Sequence, residues 1–552
     1  MKPISLFNYI IISLLPLFLC LTAAQGQEPK ETIVLLERAG DDLSFAASQM
    51  LVDQDSGGEL IFLTPRDGSL SEEQWSRSVS FTFPVSETKS VTTTPRTVSM
   101  SAQGNWTHTG GLVEDPSGSF VLATDGTLLY GTVNSNGRSY IIQPVASGVF
   151  MSKELTALMG ECGTQPPSNM QPSIPPRSKD AGQAPANPRS PNPIPDDGSE
   201  IDLMVVFTDD VRRGAMPGGS EWQQRAATYL AIDTMISQTN GIYGNSGVYP
   251  RLRLVDRIEI DYNESGNGET DLNAIQAGTA PFTNVATRRD NYRADVVVLV
   301  VEGPIVGGTG NNLNGIAFLM VNEVAGFNTD AFFVTLRVAA TGAFTFAHEL
   351  GHVQGARHDR INGPGCVPPT PMCCAEGGAA VFHYSWGWQY TVLIGPPPTP
   401  QVPQVRRTVM VRNCQNGIRQ DRFSNPNIND LSVATGAPIQ IGNPPADNPN
   451  AAHNAETLNN TTDTVALFRQ SRLTDIYVDA SNTGDETGSQ ADPFNTFEEG
   501  INHTILDGTL HLSGGNYVVS DTLDLDPNDN VITIDRRITL VAENGTAAKI
   551  TR

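Results

Sequence analysis

The hydrophobic pattern divides the chain into regions of different texture. From residue 27 to about 160, short runs such as SFVLAT, TLLYGTV and SYIIQPV alternate with Asp-Gly and Asn-Gly pairs. That is the pattern of a β-rich unit with tight turns. From Glu200 the apolar runs lengthen. IDLMVVFT (Ile201 to Thr208) reads as a buried strand, and Trp222, Ala226, Tyr229, Ile232 and Ile236 recur at helical spacing in a segment ending near Asn240. Strands are predicted at Arg251 to Tyr262 and in ADVVVLVVEG, whose unbroken valines suit a central strand covered on both faces. GIAFLMV and AFFVTLR lead into a helix carrying HELGHVQGARH, and Asn454 to Gln470 reads as a final helix. Beyond Arg472 short β runs return.

Composition adds the boundaries. Lys2, the apolar run Ile10 to Leu21 and the small residues Thr22 to Gly26 read as a cleaved export signal. The run is short for a membrane span and broken by Pro16, so no stable membrane anchor is expected. Cys20 follows the bulky Leu19, which does not suit lipid attachment. Ten of the 38 prolines fall between Gln165 and Asp196, marking an extended, accessible linker. The net charge of −24 repels polyanions and so disfavours nucleic acid as a partner. An acidic run with Asp521, Asp524, Asp526 and Asp529 can be read as a calcium site or as a solvated surface; no EF-hand loop is present.

The chemistry is concentrated between His348 and His358. Residues four apart on a helix share a face, so His348 and His352 can aim their imidazoles at one ion. Glu349 projects about 100° further round the helix, where it reaches a water on the metal, as a general base should. Gly355 ends the helix cheaply in a left-handed turn and lets His358 arrive as a third ligand. Three protein ligands leave a fourth position open, the pattern of catalytic Zn2+ rather than structural zinc.

With the extended motif complete and Asp359 directly after it, the chain resembles the metzincin metallopeptidases, on their reprolysin (adamalysin) branch. The resemblance implies a two-lobed α/β (α+β) catalytic domain with a mixed sheet, a long zinc helix and a cleft across the metal. It also implies a Met-turn beneath the metal, for which RRTVMVRNC offers Met410. The 51 residues between His358 and Met410, with a Pro-rich piece from Gly395 to Gln404, are more than the reprolysin pattern leads one to expect. By the same resemblance, Met410 to Pro426 wall the pocket for the residue after the scissile bond, Asp359 anchors the turn under the third histidine, and a strand before the zinc helix is the edge on which substrate adds. Either GIAFLMV or AFFVTLR can be that edge. Tyr384 and Tyr390 are candidates to steady the oxyanion.

Removing Cys20 with the signal leaves five cysteines, an odd number for an exported chain. Cys162, in GECGT between the β-rich segment and the linker, is the odd one out. It resembles the cysteine switch of metzincin propeptides, in which a thiolate takes the open zinc position. Cys366, Cys373, Cys374 and Cys414 remain as disulfide candidates, or as ligands of a structural metal. The C-terminal runs IYVDASN, GTLHLSGGNYVV and ITLVAENG resemble the first rungs of a right-handed parallel β-helix, with a generic β-sandwich tail as the other reading. The expected organisation is signal peptide 1–26, β-rich propeptide 27–162, Pro-rich linker 163–199, catalytic domain 200–471 and β-rich C-terminal region 472–552. The expected function is a secreted zinc endopeptidase, in the medium or at the cell surface, that hydrolyses protein or peptide substrates with metal-activated water. It is made as a zymogen and opened by an activating protease. The alternative is an adhesion or carbohydrate-binding protein that uses its C-terminal β region, the zinc domain being non-essential.

Overall fold

The computed structural model describes residues 31–51, 58–101, 104–155, 161–165, 199–307, 310, 312–359, 380–394, 402–412, 417–430, 439–444, 450–469, 475–484, 486–504, 508–518, 539–542 and 548–551. The signal segment, the body of the Pro-rich linker, the acidic run from Asp521, and Cys366, Cys373, Cys374 and Cys414 lie outside the described residues. Among the described residues no helix is long and apolar enough to cross a membrane.

The N-terminal strands form a ten-stranded sheet, antiparallel except where Thr32–Val34 pairs with Ser80–Pro84. Leu129–Ser135 and Arg138–Ala146 meet through Asn136-Gly137, whose φ values of 54° and 77° are those of a hairpin turn with both central residues left-handed. Alternate residues of these strands and of the neighbouring strand Ser119–Thr124 enter different cores. Phe120, Leu122, Tyr140 and Ile142 pack with Trp75, Phe81 and Phe150, whereas Ala123, Tyr130 and Ile141 join the cluster of Ile201, Leu230 and Val297. One face of this sheet is therefore built into the core that carries the zinc motif, which no period-two pattern can announce in advance.

That second core surrounds a mixed sheet in the order Glu161–Gln165, Asn312–Phe318, Phe332–Leu336, Val296–Val301, Glu200–Thr208, Arg251–Ile260. The last four strands are parallel, and Asn312–Phe318 runs against Phe332–Leu336. All six residues of Val296–Val301 are buried, as a central strand requires. Helix Glu221–Ser246 extends past the expected end to a left-handed Gly247. Of the expected core positions, Ile232 is buried and Ala226, Tyr229 and Ile236 pack partly buried against the core, but Trp222 is 70 % exposed, and Ala227, Leu230, Ala231, Thr234 and Met235 are buried as well. The helix lies between the two sheets, touching Arg251–Ile260 on one side and Trp106–Leu112, Ser119–Thr124 and Leu129–Ser135 on the other. Covered twice, it has no single apolar stripe. The helix expected at Asn454 to Gln470 is Asn454–Val465, shorter than the pattern suggested.

In the C-terminal region, Asp475–Val478, Thr509–Leu512 and Thr539–Ala542 pair in parallel, as do Gly515–Val518 and Ala548–Thr551. Their interior is small: Ile476, Val478, Phe494, Phe497, Ile501, Leu510, Leu512 and Tyr517.

One buried histidine gives this architecture a pH limit. His108 lies against the rings of Trp75 and Phe81, with Nε2 2.7 Å from the Trp75 carbonyl. Burial pushes its pKa from 6.5 down to about 4. The unfolded chain therefore binds this proton first, so the stability owed to a neutral ring is complete above pH 6.5 and is lost as the pH falls toward 4. About 3 kcal/mol should go over that window. Denaturant midpoints at pH 7 and pH 4.5 measure the drop, which should shrink in His108→Gln; an undiminished drop would assign it to other groups.

Candidate metal centre

The zinc-motif helix is assembled from two short pieces. Arg337–Gly342 ends, Phe344 takes a left-handed φ of 56°, and Thr345–Val353 begins, with every one of its nine residues buried. The expectation of a long helix is corrected here: the kink at Ala343 and Phe344 leaves a nine-residue segment carrying His348, Glu349 and His352. Its C-terminus closes in a reciprocal pair of turns, Gly355 N–H to the His352 carbonyl at 2.9 Å and Ala356 N–H to the Gly351 carbonyl at 2.8 Å, around Gly355 at φ +86°. A Cβ on Gly355 would stand 2.6 Å from Val381 Cγ2, so space as well as φ demands glycine. The chain then enters strand Arg357–Asp359, paired with Trp386–Gly387, and delivers His358.

The three Nε2 atoms converge. His348 and His358 are 3.0 Å apart, His352 and His358 3.1 Å, and His348 and His352 3.2 Å. His348 Nδ1 faces the Val409 carbonyl at 2.7 Å and His352 Nδ1 faces the Ala356 carbonyl at 2.8 Å. A ring nitrogen against a carbonyl carries the proton, so Nε2 of each presents a lone pair. Burial, then the neighbouring rings and Arg419, drives the His348 pKa well below its ordinary value, which keeps it in the neutral form a metal needs. Lone pairs this close repel unless a cation stands between them. Nitrogens about 2.05 Å from a tetrahedral zinc would be about 3.3 Å apart. The donor set fits the ion.

Cys162 supplies a fourth donor. It belongs to strand Glu161–Gln165, which lies parallel on Asn312–Phe318. Its Sγ is 3.3 Å from His352 Nε2 and 3.2 Å from Glu349 Oε2. The ligand atoms of Cys162, His348, His352 and His358 all lie within 4.8 Å of one another. Of the two candidate edge strands, Asn312–Phe318 is the one that receives this segment; Phe332–Leu336 is interior.

Met410 is buried in the turn Thr408 to Val411, closed by Val411 N–H to the Thr408 carbonyl at 3.1 Å. It lies under the helix: a Cβ on Gly351 would be 2.7 Å from Met410 Sδ. Asp359 is held above its usual carboxylate range by burial, and it accepts from the backbone of Arg412 just past that turn. The two tyrosines are engaged elsewhere. Tyr390 Oη donates to Asp430 at 2.9 Å, and Tyr384 Oη accepts from Asn460 at 2.8 Å.

Two contributors have no place in the sequence reading. Gly315, in the edge strand opposite Cys162, passes so close to the helix that a Cβ there would be 2.7 Å from Glu349 Oε1. A glycine inside a strand signals such an approach. Arg419 donates Nη1 to the Ala343 carbonyl at 2.6 Å and Nη2 to the Val411 carbonyl at 2.9 Å, bridging the helix start and the methionine turn. No local pattern marks it.

Residues 197–391 match a reprolysin-type family model described as metallo-peptidase family M12. A peptidyl-Asp metalloendopeptidase of Stenotrophomonas maltophilia (strain R551-3) is 27% identical over 360 residues, covering 64% of this chain and 72% of that protein. A peptidyl-Asp metalloendopeptidase of Xanthomonas campestris pv. campestris is 26% identical over 360 residues, covering 64% and 71%. Among solved structures, metalloproteinase-II from Bacteroides fragilis is similar over 60% of this chain and 90% of its own, at 10% identity and a TM-score of 0.31, a likeness too slight to carry an argument.

Proposed function

We propose, from the premise that this chain is a metzincin-like zinc metalloendopeptidase acting on protein or peptide substrates, that it is an exported zymogen whose mature form cleaves beside aspartate. The observation that carries the latency is Cys162 Sγ lying 3.3 Å from His352 Nε2 and 3.2 Å from Glu349 Oε2. The aspartate preference rests on the relatives' names.

His348, His352 and His358 hold the metal. Bound zinc supplies Lewis acidity and brings the pKa of a water down to about 7. Glu349 takes the attacking water's proton and delivers it to the departing amine nitrogen. The carbonyls of Val409 and Ala356 fix the ring planes of His348 and His352, so the ligands need no reorganisation. Substrate adds along Asn312–Phe318, the edge now covered by Glu161–Gln165, and main-chain hydrogen bonds hold it extended. The covering strand and its thiol thus deny substrate the edge and deny water the metal together. Release calls for a cut in the Pro-rich linker by an activating protease, and Lys2 to Gly26 for export. In this reading the domain limits are 27–162 for the propeptide, 163–199 for the linker and 200–471 for the enzyme, with Glu161–Gln165 as the inhibitory strand across the first boundary. The parallel strands from Asp475 onward form an appended β unit; a binding-only protein built on it finds no support among the relatives.

The test is latency. The intact zinc-loaded chain should turn over casein slowly, clipping in the linker should raise the rate, and Cys162→Ser should raise the rate of the unclipped chain at least about tenfold by removing the thiolate ligand. A chelator should abolish all of it. An unclipped Cys162→Ser chain no faster than the parent would sink the thiol block.

A further inference from the structure

The segment around the methionine turn carries Arg406, Arg407, Arg412, Arg419 and Arg422. Arg406 pairs with Asp430, and Arg422 lies 3.8 Å from Asp421. Arg412 feels the charge of Asp359. Arg419 differs. Its hydrogen bonds go to two neutral carbonyls, Ala343 and Val411, and its Nε is buried with no hydrogen-bond partner among the described residues. No carboxylate closes an ion pair with it there.

Its position is as informative as its pairing. Ala343 immediately precedes the kink into the zinc-motif helix, and Val411 follows Met410 beneath that helix. The guanidinium therefore sits beside the turn whose Val409 carbonyl orients His348. Its electrostatic partners are Cys162 and Glu349, and it acts in turn on His348. Burial pushes its pKa down to about 10, still far above neutrality, so the charge persists. Arg419, Ile418 and Gly417 line one side of a cavity of about 400 Å³ that also touches Gly342 to Phe344. The N-terminal hairpin closes the other side: a Cβ on Gly137 would lie 3.3 Å from Ile418 Cγ1. Departure of the N-terminal sheet opens this cavity.

Arg419 is half-buried, and no ion pair among the described residues takes up its remaining donors, so an arriving anion can be paired there at little further desolvation cost. Two of its nitrogens are anchored by protein carbonyls while Nε and the outer guanidinium hydrogens remain, which suits a carboxylate approaching in the plane of the fork. We infer that Arg419 is the specificity-determining residue of this enzyme, binding the side-chain carboxylate of a substrate aspartate that flanks the scissile bond. This rests on the peptidase reading above and adds to it the residue that selects the substrate.

The experiment uses the full-length, zinc-loaded chain opened by limited proteolysis, and three peptides that differ only in Asp, Asn or Leu at one position flanking the cleaved bond. Cut sites in a denatured protein, mapped by mass spectrometry, give a second readout. The parent should favour Asp over Asn by about 100-fold or more in kcat/KM, since a site built for a polar group rejects the analogue lacking it. Arg419→Gln should lower the Asp peptide by about 100-fold and bring the Asp:Asn ratio to within several-fold, with mapped sites no longer enriched in aspartate. Arg419→Lys, which keeps the charge but not the fork, should retain part of the preference and carries the test if the Gln variant does not fold. An unchanged ratio in Arg419→Gln overturns the inference. So does an equal fall on all three peptides, which would make Arg419 a structural brace or a counter-ion for Cys162 alone. If the parent itself cuts without regard to aspartate, the inference and the aspartate preference fail while chelator-sensitive turnover keeps the peptidase reading.

Discussion

Glu349→Gln is expected to keep its zinc and lose peptide hydrolysis by about 10³-fold, within the 10² to 10⁴ that a positioned general base contributes. The carboxylate is fully buried one residue after the first ligand, and its two oxygens have different surroundings: Oε2 accepts from Cys162 Sγ at 3.2 Å, and Oε1 faces Gly315. Glutamine has the same shape and can fill the space beneath the edge strand, so packing and the three imidazoles stay as they are. What it cannot do is take a proton. Zinc content by elemental analysis and kcat on a fluorogenic peptide separate the two roles: a variant with full metal and more than about a tenth of parental kcat would remove Glu349 as the base. A variant with lost metal would instead show the carboxylate supporting the ligand cage.

The metal site is legible in the sequence because most of its information is local. Two ligands and the base share one turn of helix, and Gly355 marks where the chain must leave it, so spacing alone carries the geometry. Cys162 was legible only by elimination among the cysteines, and its approach to His352 depends on a strand pairing that no local pattern contains. The same limit explains the rest. Trp222 looked like core because its spacing was helical, but the helix turns other residues toward two sheets at once and leaves the indole in solvent. Arg419 lies in NGIRQ with nothing to distinguish it from its neighbours; it acquires meaning when the turn at Met410 carries it under the start of the zinc-motif helix. The kink at Phe344 was equally silent, since Gly342, Ala343 and Phe344 do not stop a helix by type alone.

Arg337→Met should cost the unclipped chain about 3–5 kcal/mol, the range for removing one partner of a buried ion pair. Arg337 is 1 % exposed and binds Glu302 through two bonds of 2.6 Å. The same guanidinium donates to Tyr130 Oη at 2.8 Å and Gln143 Oε1 at 2.9 Å, both from the N-terminal sheet, and to the Gly214 carbonyl at 3.1 Å. Gly214 must be glycine there, because a Cβ would lie 2.2 Å from Glu302 Oε1. Methionine fills the volume, but it leaves Glu302 without its cation and Tyr130 and Gln143 without a donor inside the shared core. Denaturant unfolding of the intact chain reads the total. A double-mutant cycle with Tyr130→Phe isolates the part that crosses between the sheets, and a coupling of about 1 kcal/mol or more is expected for groups in direct contact. Because that part exists only while the N-terminal sheet is docked, Arg337→Met should also ease its release after linker clipping, measured as faster loss of the N-terminal fragment. A variant destabilised by less than about 1 kcal/mol would mean that water already satisfies these groups, and that apolar packing around Tyr130 and Ile141 holds the two sheets together.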